Sequence, residues 1–270
     1  MKRPDLFLVL LLVPMLVLAK APSQAPRQNA VASGHFLATQ AGHKILAEGG
    51  NAFDAAIAVS ATLSVVEPIS SGIGGGGLFL LRQAGTGRDV MIDARETAPH
   101  SATPDKFLDA GGQLDRDKSV NGPLSAGIPG LPAALVHLAR NYGRLPLKQS
   151  LAPAIGIARH GFEIYPRLET GYSQRADVMA RYAGSRKTFL ADGDPPQTGE
   201  ILIQEDLART LELIAEKGFD GFYRGETAQE MLNDVAKYGG NWNAQDLTGY
   251  KVVERTPMVI DYNGWRITTA

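Results

Sequence analysis

Ser70-Ser71-Gly72-Ile73-Gly74-Gly75-Gly76-Gly77, running straight into Leu78-Phe79-Leu80-Leu81, is the stretch on which the fold turns. Immediately before it stands AFDAAIAVSATLSVV, residues 52–66. That segment is apolar or small on nearly every face, so it predicts a buried helix rather than a surface one. Asn51 supplies an N-cap with Asp54 three residues on, and Glu67-Pro68 ends the helix. Leu78 to Leu81 reads as a buried strand, Ala84-Gly85-Thr86-Gly87 as a turn, and Asp89 to Asp93 as the returning strand of a β-hairpin. Arg95 falls just past the end of that strand.

The order of elements decides between readings of the glycines. Gly72, Gly74 and Gly77 satisfy G-x-G-x-x-G, but a dinucleotide loop must follow a strand and open a helix. Here the run follows a helix and opens a strand, which argues against nucleotide binding. No Gly-Lys-Ser/Thr follows, so a Walker loop is excluded. Two readings stay open. The glycines permit a tight or left-handed backbone passage, or they bare N–H groups and leave space to line a small pocket.

Further out, Phe36, Leu37, Ala41, Ile45 and Leu46 recur at helical spacing and stop at Gly49-Gly50. Beyond Pro104 the pattern is helical with short breaks, with helices over 132–142, 147–159, 204–217 and 227–238. Residues 183–200 are rich in Gly, Asp and Pro and predict an exposed loop. Val252-Val253 and Met258-Val259-Ile260 are short strands, and Asn263-Gly264 is a hairpin turn. Trp265 opens another strand and the sequence ends at Ala270. On that pattern we expect a piece of a larger domain, whose apolar strand edges invite aggregation in isolation.

At the other end, Lys2 and Arg3 precede LFLVLLLVPMLVLA, residues 6–19. This has the form of a signal peptide over residues 1–19, cleaved after Ala19, with an uncleaved anchor as the alternative. Residues 20–30 read as a polar, proline-containing linker, and residues 31–270 as the folded part. Either way the folded part is expected outside the cytoplasm, periplasmic or extracellular.

Formal net charge is −1 with no Lys/Arg block, which removes nucleic acid as a partner class. The absence of cysteine removes disulfides, thiolate metal sites and a cysteine nucleophile. His35, His43, His100, His137 and His160 show no i+3 or i+4 pairing, so no metal site is expected. Ser70 and Ser71 lack a G-x-S-x-G elbow, so a serine triad has no support. Asp54 reads as a capping carboxylate rather than an acid or base. Arg95, flanked by Asp93 and Glu96, reads by itself as a surface ion pair.

Several of these motifs together resemble the gamma-glutamyltransferase (gamma-glutamyltranspeptidase, glutathione hydrolase) family. They are Val31-Ala32-Ser33, Gly49-Gly50-Asn51-Ala52-Phe53-Asp54 through Ala58, and Val65-Val66-Glu67-Pro68 leading into the glycine run. To these add Asp93-Ala94-Arg95-Glu96-Thr97-Ala98-Pro99, Gly127-Ile128-Pro129-Gly130, Asp246-Leu247 through Tyr250, and Glu254-Arg255-Thr256-Pro257. The resemblance runs over residues 31–270 and matches the N-terminal, large-subunit side of that family.

It implies an α+β fold of the N-terminal-nucleophile hydrolase type, an αββα sandwich of two stacked antiparallel sheets, incomplete here. It implies a precursor that cleaves itself, freeing an N-terminal threonine that acts as nucleophile with its own α-amino group as base. Attack on a γ-glutamyl amide gives an acyl-enzyme, which passes to water or to an amino-acid or peptide amine. Glutathione is the expected donor, and the small subunit the expected protein partner. No cofactor is needed. No catalytic residue is expected in this chain: the nucleophile would lie past residue 270, and Thr268 and Thr269 show no self-cleavage context. The one site residue carried over is Arg95, whose guanidinium would grip the substrate α-carboxylate as a fork. Two rivals remain: a non-catalytic periplasmic amino-acid or peptide binder, and a glutaryl or cephalosporin acylase on the same scaffold.

Overall fold

The computed structural model describes residues 29–190 and 193–270. The signal-peptide and cleavage expectations fall on residues outside this range, as does most of the linker. The chain opens with helices α1 (Phe36–Ala47) and α2 (Ala52–Val66), then a single turn, α3 (Pro68–Ser71). Strands β1 (Gly77–Gln83) and β2 (Arg88–Ala94) form the expected antiparallel hairpin, with Gly77 opposite Ala94. A long, mostly irregular passage holding only α4 (Arg116–Val120) leads to α5 (Leu131–Asn141) and α6 (Leu147–His160). Then come β3 (Phe162–Glu163), α7 (Pro166–Met179), α8 (Ala183–Phe189), β4 (Ile201–Leu202), α9 (Glu205–Lys217), α10 (Asp220–Tyr223), α11 (Gly225–Lys237) and α12 (Ala244–Thr248). The chain returns to sheet in β5 (Val253–Arg255), β6 (Met258–Tyr262) and β7 (Trp265–Thr269).

Helix α2 is the axis of the molecule. It packs on α1, α5 and α6, and α6 in turn packs on α9. Ile57, Ala61, Val65 and Val66 of α2 join Leu135, Leu138, Leu151 and Leu211 in one continuous core. The alanines make this possible, since a helix with small side chains admits neighbours on several sides at once. The sheet lies against this helical layer in the order β1-β2-β5, with Val90 and Ile92 facing the core. A polar tie fixes β5 to α5: the Tyr142 hydroxyl donates to Glu254 Oε1 at 2.6 Å, and His137 Nε2 lies 2.9 Å from the same oxygen. These two contacts hold the Glu254 carboxyl below its usual range.

Several expectations need correction. Leu78 and Leu80 are not buried: they alternate with Phe79 and Leu81 and face outward at 47% and 46% exposure. A run of four apolar residues hides the period of two that a one-faced strand obeys. The passage after Pro104 is largely irregular before Leu131: the Asp109 side chain takes the Gly111 and Gln113 amides in a local turn, and Asp115 caps only the short α4. Residues 183–189 form α8 rather than loop, and α7 stands where no helix was expected. The Asn263-Gly264 turn is as read, with φ of 47° and 78°, the left-handed pair a two-residue hairpin requires. Among the described residues the sheet structure amounts to three strands and two two-stranded ribbons, β3–β4 and β6–β7. No described helix is long and apolar enough to cross a membrane.

Asp54 is the capping carboxylate that its spacing implied. The Asn51 side chain accepts from the amides of Phe53 and Asp54, and Asp54 Oδ2 accepts from the Asn51 amide at 2.8 Å. The same carboxylate reaches 90 residues ahead to take the Arg144 amide at 3.0 Å, joining α2 to the α5–α6 connection. It is wholly buried. Asp54→Ala strips the partner from the Asn51, Arg144 and Leu145 amides and should lower unfolding free energy by about 3 kcal/mol, read from urea denaturation. A loss under about 1 kcal/mol would show that water replaces the carboxylate there.

Candidate functional site

The loop after β2 is where local chemistry concentrates. The Arg95 amide donates to Asp93 Oδ1 at 3.1 Å, and Asp93 Oδ2 takes Arg255 Nε at 2.8 Å. The amide bond and then the Arg255 contact hold the Asp93 carboxyl below its usual range. The Arg95 carbonyl accepts from the Tyr250 hydroxyl at 2.9 Å. Both backbone groups of Arg95 are therefore fixed, while its side chain is 61% exposed. The guanidinium Nη2 lies 3.1 Å from Glu96 Oε2.

The glycine run packs directly on this loop. A β-carbon at Gly76 would sit 2.3 Å from the Ala94 carbonyl oxygen and 2.9 Å from the Glu96 nitrogen. From the other side, a β-carbon at Gly130 would sit 2.1 Å from that same Ala94 oxygen and 2.3 Å from the Tyr250 hydroxyl. No real side chain tolerates such distances, so the two glycines are steric requirements. The Gly75 carbonyl accepts from the Gly130 and Leu131 amides at 2.9 and 3.0 Å, seating the run on the first turn of α5. Of the two readings left open by the sequence, tight passage is thus met.

The pocket is met as well. A cleft of about 300 Å³ lies between α2, α3 and the loop, lined among others by Ser60, Ser70, Ser71, Gly75, Arg95 and Glu96. It is of the size that holds a small polar molecule. Hydroxyls, glycine backbone, one cation and the Glu96 carboxylate converge there, a set that could take a molecule bearing both a carboxylate and a cationic group. A larger cleft of about 490 Å³ touches Gly72 and Ile73 from behind. The cation in its wall, Lys187, lies 3.0 Å from Asp206 and is a point charge without the planar fork of a guanidinium.

Sequence spacing did not reveal what holds the loop's far end. The His100 amide donates to Asp246 Oδ1 at 2.8 Å, and His100 Nδ1 lies 2.5 Å from the same atom. Asp246 is also the N3 carboxylate of the α12 capping box with Asn243. Burial works to raise this carboxyl, but the His100 and Asn243 contacts outweigh it, leaving it below the usual range. The pairing spans 146 residues, so no local pattern could have shown it. Tyr250 and Asp246 entered the sequence reading only as part of a resemblance.

Gathered in one cleft are a serine pair, a glycine run and an arginine that is fixed by its backbone and paired at Nη2 with Glu96, on an α+β scaffold. Comparison with known proteins gives the class. The family model "Gamma-glutamyltranspeptidase" matches residues 38–270. The glutathione hydrolase proenzyme of Escherichia coli K12 is 40% identical over 242 residues, covering 89% of this chain and 42% of that protein. The crystal structure of Helicobacter pylori gamma-glutamyltranspeptidase superposes with a TM-score of 0.86 at 37% identity, covering 90% of this chain and 71% of that one. A cephalosporin acylase from Bacillus halodurans superposes with a TM-score of 0.76 at 32% identity, over 90% and 48% of the respective chains.

The fold is therefore of the N-terminal-nucleophile hydrolase type, mixed helix and sheet. The chain belongs to the gamma-glutamyltranspeptidase family. It spans less than half the length of the curated relatives it matches.

Two outcomes test this geometry. Gly76→Ala should cost about 1–3 kcal/mol of stability by overpacking against the Ala94 carbonyl, whereas Gly74→Ala, with open space around it, should cost no more than about 1 kcal/mol. Asp246, with its depressed carboxyl, contributes stability that is present above the unfolded value near ~3.9 and lost as pH falls through the folded value. Asp246→Asn should therefore be less stable than the parent at pH 7, with the difference shrinking below about pH 4. Urea titrations at both pH values give the comparison.

Proposed function

We propose that this chain carries the donor-recognition side of an enzyme that transfers and hydrolyses γ-glutamyl groups, with glutathione and other γ-glutamyl amides as donors. Water or an amino-acid or peptide amine accepts the acyl group. The nucleophile is an N-terminal threonine released by self-cleavage, supplied by sequence past residue 270. The small subunit so formed remains the partner of this chain. No residue of residues 1–270 is assigned a bond-making role. The enzyme is exported, as the basic and then apolar N-terminus of the sequence argues.

Arg95 is the residue that recognises the donor. A γ-glutamyl amide is cut at one end and identified at the other, where it bears an α-carboxylate. A guanidinium offers that carboxylate two parallel N–H bonds in one plane. The observation that carries this reading is the placement of Arg95 at the cleft beside Ser70 and Ser71. Its Nη2 meets Glu96, while Nε and Nη1 make no hydrogen bond or ion pair among the described residues. Taken alone, Arg95 paired with Glu96 is also what an ordinary surface contact looks like. The cleft and the immobilised backbone favour the binding role.

A second reading has its own support. The acylase likeness shows that this scaffold also serves a protein named for cephalosporin. A glutaryl amide keeps the carboxylate and lacks only the α-ammonium, so Arg95 would serve it equally.

The experiment uses the full reading frame, matured, with γ-glutamyl-p-nitroanilide and glutaryl-p-nitroanilide as parallel substrates. Preference for the first supports the transferase, preference for the second the acylase, and no turnover of either supports a binding protein. Arg95→Ala should mature normally and raise KM for the preferred donor about 100-fold, as expected for a truncated charge pair of roughly 2–5 kcal/mol. Arg95→Lys should recover little, because an ammonium does not reproduce the fork. An unchanged KM in Arg95→Ala removes the residue from the site.

A further inference from the structure

We infer that Tyr250 is a positioning residue for donor recognition, acting through the backbone of Arg95; the inference rests on the carboxylate-binding reading above. The Tyr250 ring is buried and its hydroxyl donates to the Arg95 carbonyl at 2.9 Å. Burial, followed by the nearby Asp93 and Glu96 charges, pushes the phenol up to about 12, so it remains a protonated donor across the physiological range. Nothing about a stable core requires this bond to end on Arg95. The tyrosine hydroxyl passes under the loop through the space that Gly130 leaves, where a β-carbon would come within 2.3 Å of it.

The ring itself is held by a second tyrosine. Tyr223 stacks on Tyr250 with centroids 5.6 Å apart and planes 8° from parallel. The Tyr223 hydroxyl donates to the Pro129 carbonyl at 2.7 Å, one residue before Gly130. The two phenols thus form a stacked pair, one fixing the wall of the passage and the other the arginine. Behind them, the Asn243 capping box sets α12, which ends two residues before Tyr250. Asp246 of that same helix holds His100. Residues 246–250 therefore grip the Arg95–His100 loop at both ends, and the Thr97–Ile128 bridge holds its middle.

This arrangement separates two jobs within one residue. The Arg95 amide goes to Asp93 and its carbonyl to Tyr250, which sets the direction of the Cα–Cβ bond. Nε and Nη1 of the guanidinium, which Glu96 does not engage, can then meet a carboxylate without the backbone moving. Removing the phenolic hydroxyl leaves the carbonyl without a partner and lets the peptide plane rotate. A bidentate contact is sensitive to such a rotation, whereas bond-making at the far end of the donor is not.

The test is a double-mutant cycle in the full-length, matured enzyme. Tyr250→Phe keeps the stacked ring and should raise KM for γ-glutamyl-p-nitroanilide about fivefold, the size of one lost hydrogen bond, with kcat within about twofold of the parent. On an Arg95→Ala background the same change should add nothing, because the group through which it acts is gone. For 4-aminobutyryl-p-nitroanilide, which lacks the α-carboxylate, Tyr250→Phe should leave kcat/KM unchanged. Melting temperature and the extent of self-cleavage report any general loss of structure. Equal effects of Tyr250→Phe in both backgrounds, or on both substrates, would overturn the inference and leave the tyrosine a packing residue. An Arg95→Ala effect with no Tyr250→Phe effect also overturns it while sparing the carboxylate reading. No effect of Arg95→Ala removes both.

Discussion

The Ala94–Arg95 peptide is closed in by Gly76 and Gly130, and the next carbonyl, that of Arg95, is held by the Tyr250 hydroxyl. This contact sets the terms for the rest of the molecule. Two remote turns must meet over one peptide plane, and both must lack a side chain at the meeting point. For the glycine run to arrive there, α2 has to end at Glu67 and β1 has to begin at Gly77. For the Gly130 turn to arrive, α5 has to start immediately after it, which it does with Leu131. The elements of the first half of the chain are spaced to serve that junction.

The magnitudes rank what matters. A lost backbone hydrogen bond costs about 1 kcal/mol and an overpacked glycine about 1–3. Truncating one partner of a desolvated charge pair costs roughly 2–5 kcal/mol. The Arg95 side chain of the Arg95–Glu96 pair is 61% exposed, where such contacts contribute about 0–1 kcal/mol. The guanidinium therefore gives little to folding. What the fold fixes is the backbone beneath it, and a rigid base would lower the ordering cost of the binding proposed for Arg95.

Sequence reading went furthest where physics is local. The α2 helix, its Asn51–Asp54 cap, the β1–β2 hairpin and the Asn263-Gly264 turn each follow from a few adjacent residues. It failed where the deciding interaction is remote or averaged. Helix α7 buries only Leu168 and Tyr172, too thin an apolar stripe to signal a period. Helix α8 has no buried residue at all, so its composition looks like loop. In β1 the outward leucines carry no mark distinguishing them from core residues. His100 with Asp246 and His137 with Glu254 join positions 146 and 117 apart, and the fold alone brings them together. At the site, Arg95 was legible as a candidate only because a whole series of motifs resembled one family. Its amide bond to Asp93 was within local reach, but the Tyr250 contact was not.

The likeness extends with comparable coverage of this chain to proteins named as transpeptidases and as an acylase. A scaffold shared by different acyl groups must fix something those groups have in common. Glutamyl and glutaryl donors differ at the α-ammonium and agree at the carboxylate. Under the role proposed for Arg95, a cation on an immobilised peptide would answer to the feature they share. If Arg95 takes the donor carboxylate as proposed, discrimination between the two would fall to an acceptor for the ammonium, and Glu96, 3.1 Å from the guanidinium and lining the same cleft, is a carboxylate near enough to serve.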